Sequence, residues 1–244
     1  HRDLHYPLRR QRQMCIRDRD NAVLGEYRNL IVDEAHNMEK TAAEYLGVRV
    51  SYWSFRNLYH RLYEEEPKRS GTLQQMDFRL SKAGLDEKTQ SMVYKQLNYL
   101  KHSSLNLKEK VQVFYNELSR QLREKYANAA GGAEDNRVRY FKNFKYFNQL
   151  SLQIEELKQS LDSFNRNIEK MIEVLQDLDD NTFEFQDQIL RELMAIAEDG
   201  NRLINDFDFC LLAEADHFVY WLDVPRNERN NDCLLYTSPS PRDR

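Results

Sequence analysis

The chain has 244 residues, of which 31% are charged and only 7 are Gly and 5 Pro, and its formal net charge is −4. That length suits one large domain or two small ones with an ample core, and the scarcity of helix breakers leans it toward helix. The acidic balance excludes a uniformly basic nucleic-acid face, so any such contact must be local, and no apolar run approaches the roughly 20 residues that cross a bilayer.

Both ends read as translated adapter. Cys233–Ser238 can be encoded by TGT CTC TTA TAC ACA TCT, and the opposite strand of that DNA, in a shifted frame, encodes Met14–Asp18. One short element thus flanks the insert in opposite orientations, and it resembles the transposase-derived adapter of sequencing libraries. Residues 1–19 and 233–244 are therefore expected to be non-native and are set aside, leaving an interior from about Asp20 to Asp232. The ends carry eight arginines against three aspartates, so the interior stands at −9 rather than −4. Of the 3 cysteines only Cys210 belongs to it, which leaves no disulfide framework or cysteine metal site and points to a reducing cytoplasm.

The first informative run is Leu30-Ile31-Val32-Asp33-Glu34-Ala35-His36-Asn37. A buried strand of a parallel sheet that delivers paired carboxylates at its carboxyl edge is how nucleotide-driven motors hold magnesium and aim water at a phosphate. In that chemistry Asp33 holds Mg2+ through water, Glu34 orients and deprotonates the attacking water, and His36 senses the nucleotide. The alternative is an exposed Asp-Glu pair at a helix start, favoured there by the helix dipole.

Gly47 is placed to end a short helix after Met38, and Val48–Val50 read as extended. Ser51 can then cap a helix through Tyr63. Pro67–Thr72 breaks it, and Leu73–Ala127 reads as helix, interrupted at Gly84 with Asp86 as a new cap and again near Ser103–Asn106, three helices in all. Asn128–Asn136 is a flexible connection. Leu150, Ile154, Leu157, Leu161, Phe164, Ile168, Met171, Leu175 and Leu178 alternate spacings of four and three, laying one apolar seam along a long helix. Phe183–Ala213, with Phe185, Ile189, Leu193, Ile196 and Leu203, is expected to cover that seam as the second arm of an antiparallel hairpin. His217–Val224 reads as a strand ended by Pro225.

Asn29-Leu30-Ile31-Val32-Asp33-Glu34-Ala35-His36-Asn37 resembles motif II, the Walker B box, of the DinG/XPD-type superfamily 2 DNA helicases, and the layout after it is similar too. In that family an all-helical Arch domain is inserted into the first motor domain after motif II. The resemblance implies a mainly α fold, with a long-helix Arch-type insertion over 51–216 and a few strands left from a truncated RecA-like α/β motor domain at 20–50 and 217–232, where Phe218–Leu222 is the returning strand. It also implies an ATP- and Mg2+-dependent motor, a cytoplasmic monomer that moves 5′ to 3′ on single-stranded DNA, with Glu34 and His36 catalytic and Asp33 and Glu34 at the nucleotide. The chain has no phosphate-binding loop, so by itself it is expected to be inactive. Many family members carry a 4Fe-4S domain upstream of motif II, and this chain holds no ligands for it.

Arg137-Val138-Arg139-Tyr140-Phe141-Lys142-Asn143-Phe144-Lys145-Tyr146-Phe147 interleaves cations with aromatics, as strand-binding grooves do. Arg137, Arg139, Tyr140, Lys142 and Lys145 are the candidate DNA contacts. The competing reading is a helix with Phe141, Phe144 and Phe147 in the core and the cations merely solvated. Trp53, Arg56, Tyr59, His60 and Arg61 form a weaker cluster of the same kind. A rival for the whole chain is a non-enzymatic coiled-coil scaffold, since sustained heptads also pair between chains.

Overall fold

Ser51 is both the last residue of a strand and the cap of a helix. In the computed structural model, which describes residues 47–65, 69–126, 137–179, 182–223 and 233–239, strand β1 (Arg49–Ser51) runs directly into helix α1 (Tyr52–Leu62). The Ser51 hydroxyl accepts from the Ser54 amide while the Ser54 hydroxyl accepts from the Ser51 amide, which satisfies two otherwise orphaned donors. Beyond a Glu64–Ser70 bridge, Gly71 turns the chain into α2 (Thr72–Leu80) at φ 98°, and a Cβ there would fall 2.6 Å from the Leu62 carbonyl oxygen. Only glycine fits that turn.

Asp86 caps the next helix as expected, accepting from the Thr89 amide at 3.1 Å. Helix α3 (Glu87–Tyr126) then continues for 40 residues through Ser103–Asn106, where the sequence predicts a break. Two of the three polar side chains that should compete with the helix backbone have partners outside the helix, and the third bonds back within it. Ser103 bonds back to the Leu100 carbonyl, Ser104 to the carbonyls of Tyr59 and Tyr63, and Asn106 to Ser160 at 2.9 Å. One long helix therefore stands where two were expected.

After β2 (Arg137–Tyr140) and the short α4 (Lys145–Gln149) come α5 (Ser151–Gln176) and α6 (Gln186–Leu212). The predicted seam is real: Leu157, Leu161, Phe164, Ile168, Met171 and Leu175 are all buried, and Ile189, Leu193, Ile196 and Leu203 of α6 face them. The hairpin is only half of the cover, because α3 is the more extensive partner of α5. Gln96 reaches the Asn167 carbonyl and Lys110 reaches Glu156, an antiparallel alignment that buries Val93, Leu97, Leu100, Leu107, Val111, Phe114 and Leu118 completely. Phe185 departs from the seam expected of it. It sits at φ 63° before the first turn of α6 and is 52% exposed.

Two polar residues lie inside the apolar seam, and each marks one neighbour. Ser160 accepts from Asn106 of α3. Asn165 donates to Asn201 of α6 at 3.0 Å, and its Oδ1 lies where a Cβ on Gly200 would be, 2.1 Å from that position. The glycine lets the two helices close on the amide, and the amide fixes which residues meet.

A four-stranded sheet, in the order β1-β4-β3-β2, completes the fold with β3 (Phe218–Asp223) and β4 (Leu234–Pro239). Every pairing among the described residues is antiparallel, and Leu30–Val32, the run expected in a parallel sheet, lies outside them. Residues 233–239, which the adapter reading sets aside, also enter the sheet. Leu234–Pro239 pairs with β3 along its whole length and with β1 on its other side, Thr237 exchanges bonds with Val48, and Cys233 and Leu235 are fully buried. Val50, Val138, Tyr140, Tyr220, Leu222 and Leu235 line the inner face of the sheet. No helix among the described residues is long and apolar enough to cross a membrane.

Gly200→Ala is expected to lower stability by roughly 1–2 kcal/mol, because displacing the buried Asn165 amide outweighs the better helix propensity of alanine. In an Asn165→Ala background the same change should be neutral or stabilising, and equal losses in both backgrounds, read from urea unfolding, would contradict the contact.

A second expectation concerns Glu64, which is 6% exposed and accepts from Lys108 at 2.6 Å and His60 at 3.0 Å. Burial alone would raise its pKa, but Lys108 and then His60 outweigh that and hold the carboxyl below its ordinary value. A carboxylate with a depressed folded pKa stabilises above its unfolded pKa and loses that contribution as pH falls through the folded one. The urea midpoint should therefore drop as the pH falls through and below the ordinary glutamate range near about 4.3, and less steeply in Glu64→Gln.

Candidate nucleic-acid interface

The two-residue period of a strand decides which members of the basic-aromatic run reach solvent. In β2, Arg137 and Arg139 point outward while Val138 and Tyr140 point at the helices. Tyr140 is 1% exposed, donates its hydroxyl to the Cys210 carbonyl at 2.8 Å and packs against Phe144, Phe147 and Tyr220. Burial pushes its hydroxyl pKa far above the usual tyrosine value, with Cys210 and Tyr220 adding to the shift. Its ring is unavailable to a base, which removes Tyr140 from the predicted contacts.

The segment is not the single helix of the competing reading either. A turn with Asn143 at φ 62° follows β2, so that Phe147 enters the core while Phe141 remains 64% exposed. Lys142 lies in this turn and pairs with Glu214 at 2.9 Å, and that bond holds its ammonium above the ordinary lysine range. Lys145 is exposed at the start of α4, outside the strand. Of the five candidates, Arg137 and Arg139 share one face.

The neighbouring strands extend that face with residues that sequence reasoning passed over. Arg139 is opposite Trp221 of β3, Trp221 is opposite Tyr236 of β4, and Tyr236 is opposite Arg49 of β1. One cross-strand rung therefore reads cation, aromatic, aromatic, cation. The Trp221 and Tyr236 rings are 6.5 Å apart and within 16° of parallel. The Arg139 guanidinium lies 5.0 Å from the Phe141 ring and 5.9 Å from that of Trp221, and Arg137 lies 5.7 Å from Tyr236. Asp223 is the carboxylate on the face and pairs with Arg137 at 3.2 Å. The alternation in Phe218–Asp223 was the available signal for Trp221, but its neighbours lie in distant parts of the chain.

The weaker cluster is largely dispersed. Tyr59 is buried, His60 is engaged by Glu64, and Arg61 is held by Glu192 and Asp199. Trp53 stays 45% exposed with Arg56 4.9 Å from its ring. Cys210 is fully buried, and burial first, then Asp206, pushes its thiol up to about 12, which suits a core residue rather than a nucleophile. Asp33, Glu34 and His36 lie outside the described residues. Among the described residues no group of three His, Cys, Asp or Glu could hold a metal ion.

Comparison of the chain with protein-family models, with curated proteins and with solved structures finds no match.

Tyr140→Phe should cost about 1 kcal/mol of stability, because it removes the donor to a last-turn carbonyl of α6. It should leave the outer face unaltered, and a loss well above that range in chemical unfolding would mean that the hydroxyl does more than satisfy Cys210.

Proposed function

We propose that the chain is a piece of an ATP-dependent DNA helicase of DinG/XPD type, covering motif II and the helical Arch insertion. The observation that carries this reading is the run Asn29–Asn37, an apolar stretch delivering Asp33, Glu34 and His36, followed by a large helical body that begins at Ser51 and gives way to a strand at Phe218. In this reading Asp33 holds magnesium through water, Glu34 orients and deprotonates the water that attacks the terminal phosphate of ATP, and His36 passes the nucleotide state to the DNA-binding surface. The outward cations of β2, Arg137 and Arg139, are then in place to meet a single strand. In this reading β1 and β3, neighbours of β4 in one antiparallel sheet, are the strands from which the chain leaves for the helical body and to which it returns.

The scaffold alternative loses ground for a physical reason. Dimerising heptads need an apolar strip left over for a second chain, whereas the α5 seam is buried within this one. A monomer is the simpler reading.

The test is made in a chain extended upstream to include the phosphate-binding loop that this reading requires. Glu34→Gln should still bind ATP while its DNA-stimulated hydrolysis falls roughly a hundredfold or more; near-normal turnover would sink the assignment. His36→Ala should keep basal hydrolysis and lose its stimulation by single-stranded DNA. An upstream sequence that continues in heptads with no such loop would favour the scaffold.

A further inference from the structure

We infer that the outer face of the sheet is a stacking platform on which unpaired bases of single-stranded DNA lie against Trp221, with phosphates held by Arg139 and Arg49. The choice of DNA as occupant rests on the helicase reading, while the platform itself rests on geometry. The sheet has its core on the other side, so the fold does not need flat rings here. Yet Trp221 and Tyr236 lie nearly parallel and only half-buried at the centre of the face, with the Arg139 guanidinium beside the Trp221 ring. Three strand spacings of about 4.8 Å, roughly 14 Å in all, separate the arginines at the two ends of the rung.

Charge favours the same occupant. Arg49, Arg137 and Arg139 stand on this face against Asp223, a local cationic surplus in a chain whose net charge is −4. A nucleotide strand supplies a π-surface and an anion at each step, which matches rings bracketed by guanidiniums. A duplex presents phosphates but keeps its bases stacked inside, so it could meet the arginines and not Trp221. Phe141, beside Arg139 and largely exposed, extends the platform past the end of β2. Contact of this kind is tolerant of base sequence, because every base has a π-face. Tyr236 belongs to the stretch that reads as adapter, so the test uses β2, the turn after it and β3.

The chain has two tryptophans, Trp53 and Trp221. In Trp53→Phe, which leaves Trp221 as the only reporter, titration of the full chain with a fifteen-nucleotide oligothymidylate at low salt should quench the fluorescence to saturation, and the affinity should fall as salt rises. In Trp221→Phe the remaining Trp53 should not respond. By anisotropy of a labelled oligonucleotide, Trp221→Ala and Phe141→Ala should each weaken binding roughly tenfold or more, and Arg139→Ala should weaken binding and reduce its salt dependence. Phe141 and Arg139 are exposed, so their variants keep the test decisive if Trp221→Ala fails to fold. The inference is overturned if Trp221 emission does not respond, if duplex of equal length competes as well as the single strand, or if Trp53 is the ring that is quenched. No ATP enters this measurement, so its outcome is independent of the hydrolysis test for motif II.

Discussion

Helix α5 has more apolar surface than one neighbour can cover, and the architecture follows from that. Its buried positions, from Leu157 through Phe164 to Leu175, face α3 on one side and α6 on the other. A helix that must be wetted nowhere along this stripe is stable only when both neighbours are docked, since burial rather than intrinsic propensity supplies most of its stability. Apolar contact alone is indifferent to register, and the two buried polar residues remove that indifference. Ser160 recognises Asn106, and Asn165 recognises the gap at Gly200 together with the Asn201 amide. Helix α1 packs in turn on α3 and α6, with Phe55 wedged edge-on against Phe207 and Tyr115.

What was legible in the sequence was local or periodic. The seam of α5, most of that of α6, the Ser51 cap and the new start at Asp86 each depend on residues within a few turns of one another, and each is where the spacing puts it. What was not legible depends on partners far along the chain. The hydroxyl at 104 looks like a helix breaker until the carbonyls of Tyr59 and Tyr63 take it up. Arg137–Tyr140 has no reason to be a strand except that Tyr220–Asp223 lies beside it. The same distance hid half of the candidate interface. Once β2 is a strand, alternation separates Arg139 from Tyr140, but that Trp221 joins Arg139 is a matter of pairing, not of composition.

The charged surface plays a different part from the core. Arg61 bridges to Glu192 and Asp199, and Lys158 to Asp208, with both partners about a third or more exposed, and such pairs contribute little to stability. Their effect is to engage those cations with carboxylates of neighbouring helices. Against that background the sheet face stands apart, because its guanidiniums lie beside rings and outnumber the carboxylate among them.

The position of β4 has a kinetic meaning. It is the last of the described strands to leave the ribosome, yet it lies between β1 and β3, and its pairing of Arg49 with Tyr236 joins residues from opposite ends of the described chain. The helices can assemble during synthesis from contacts closer in sequence, whereas among the described residues the strand partner of β1 is 234–239. Before 234–239 is in place, the side of β3 away from β2, with Tyr220 and Leu222, has no other strand partner among the described residues, and such an open backbone ladder is a template for association with another unfinished chain.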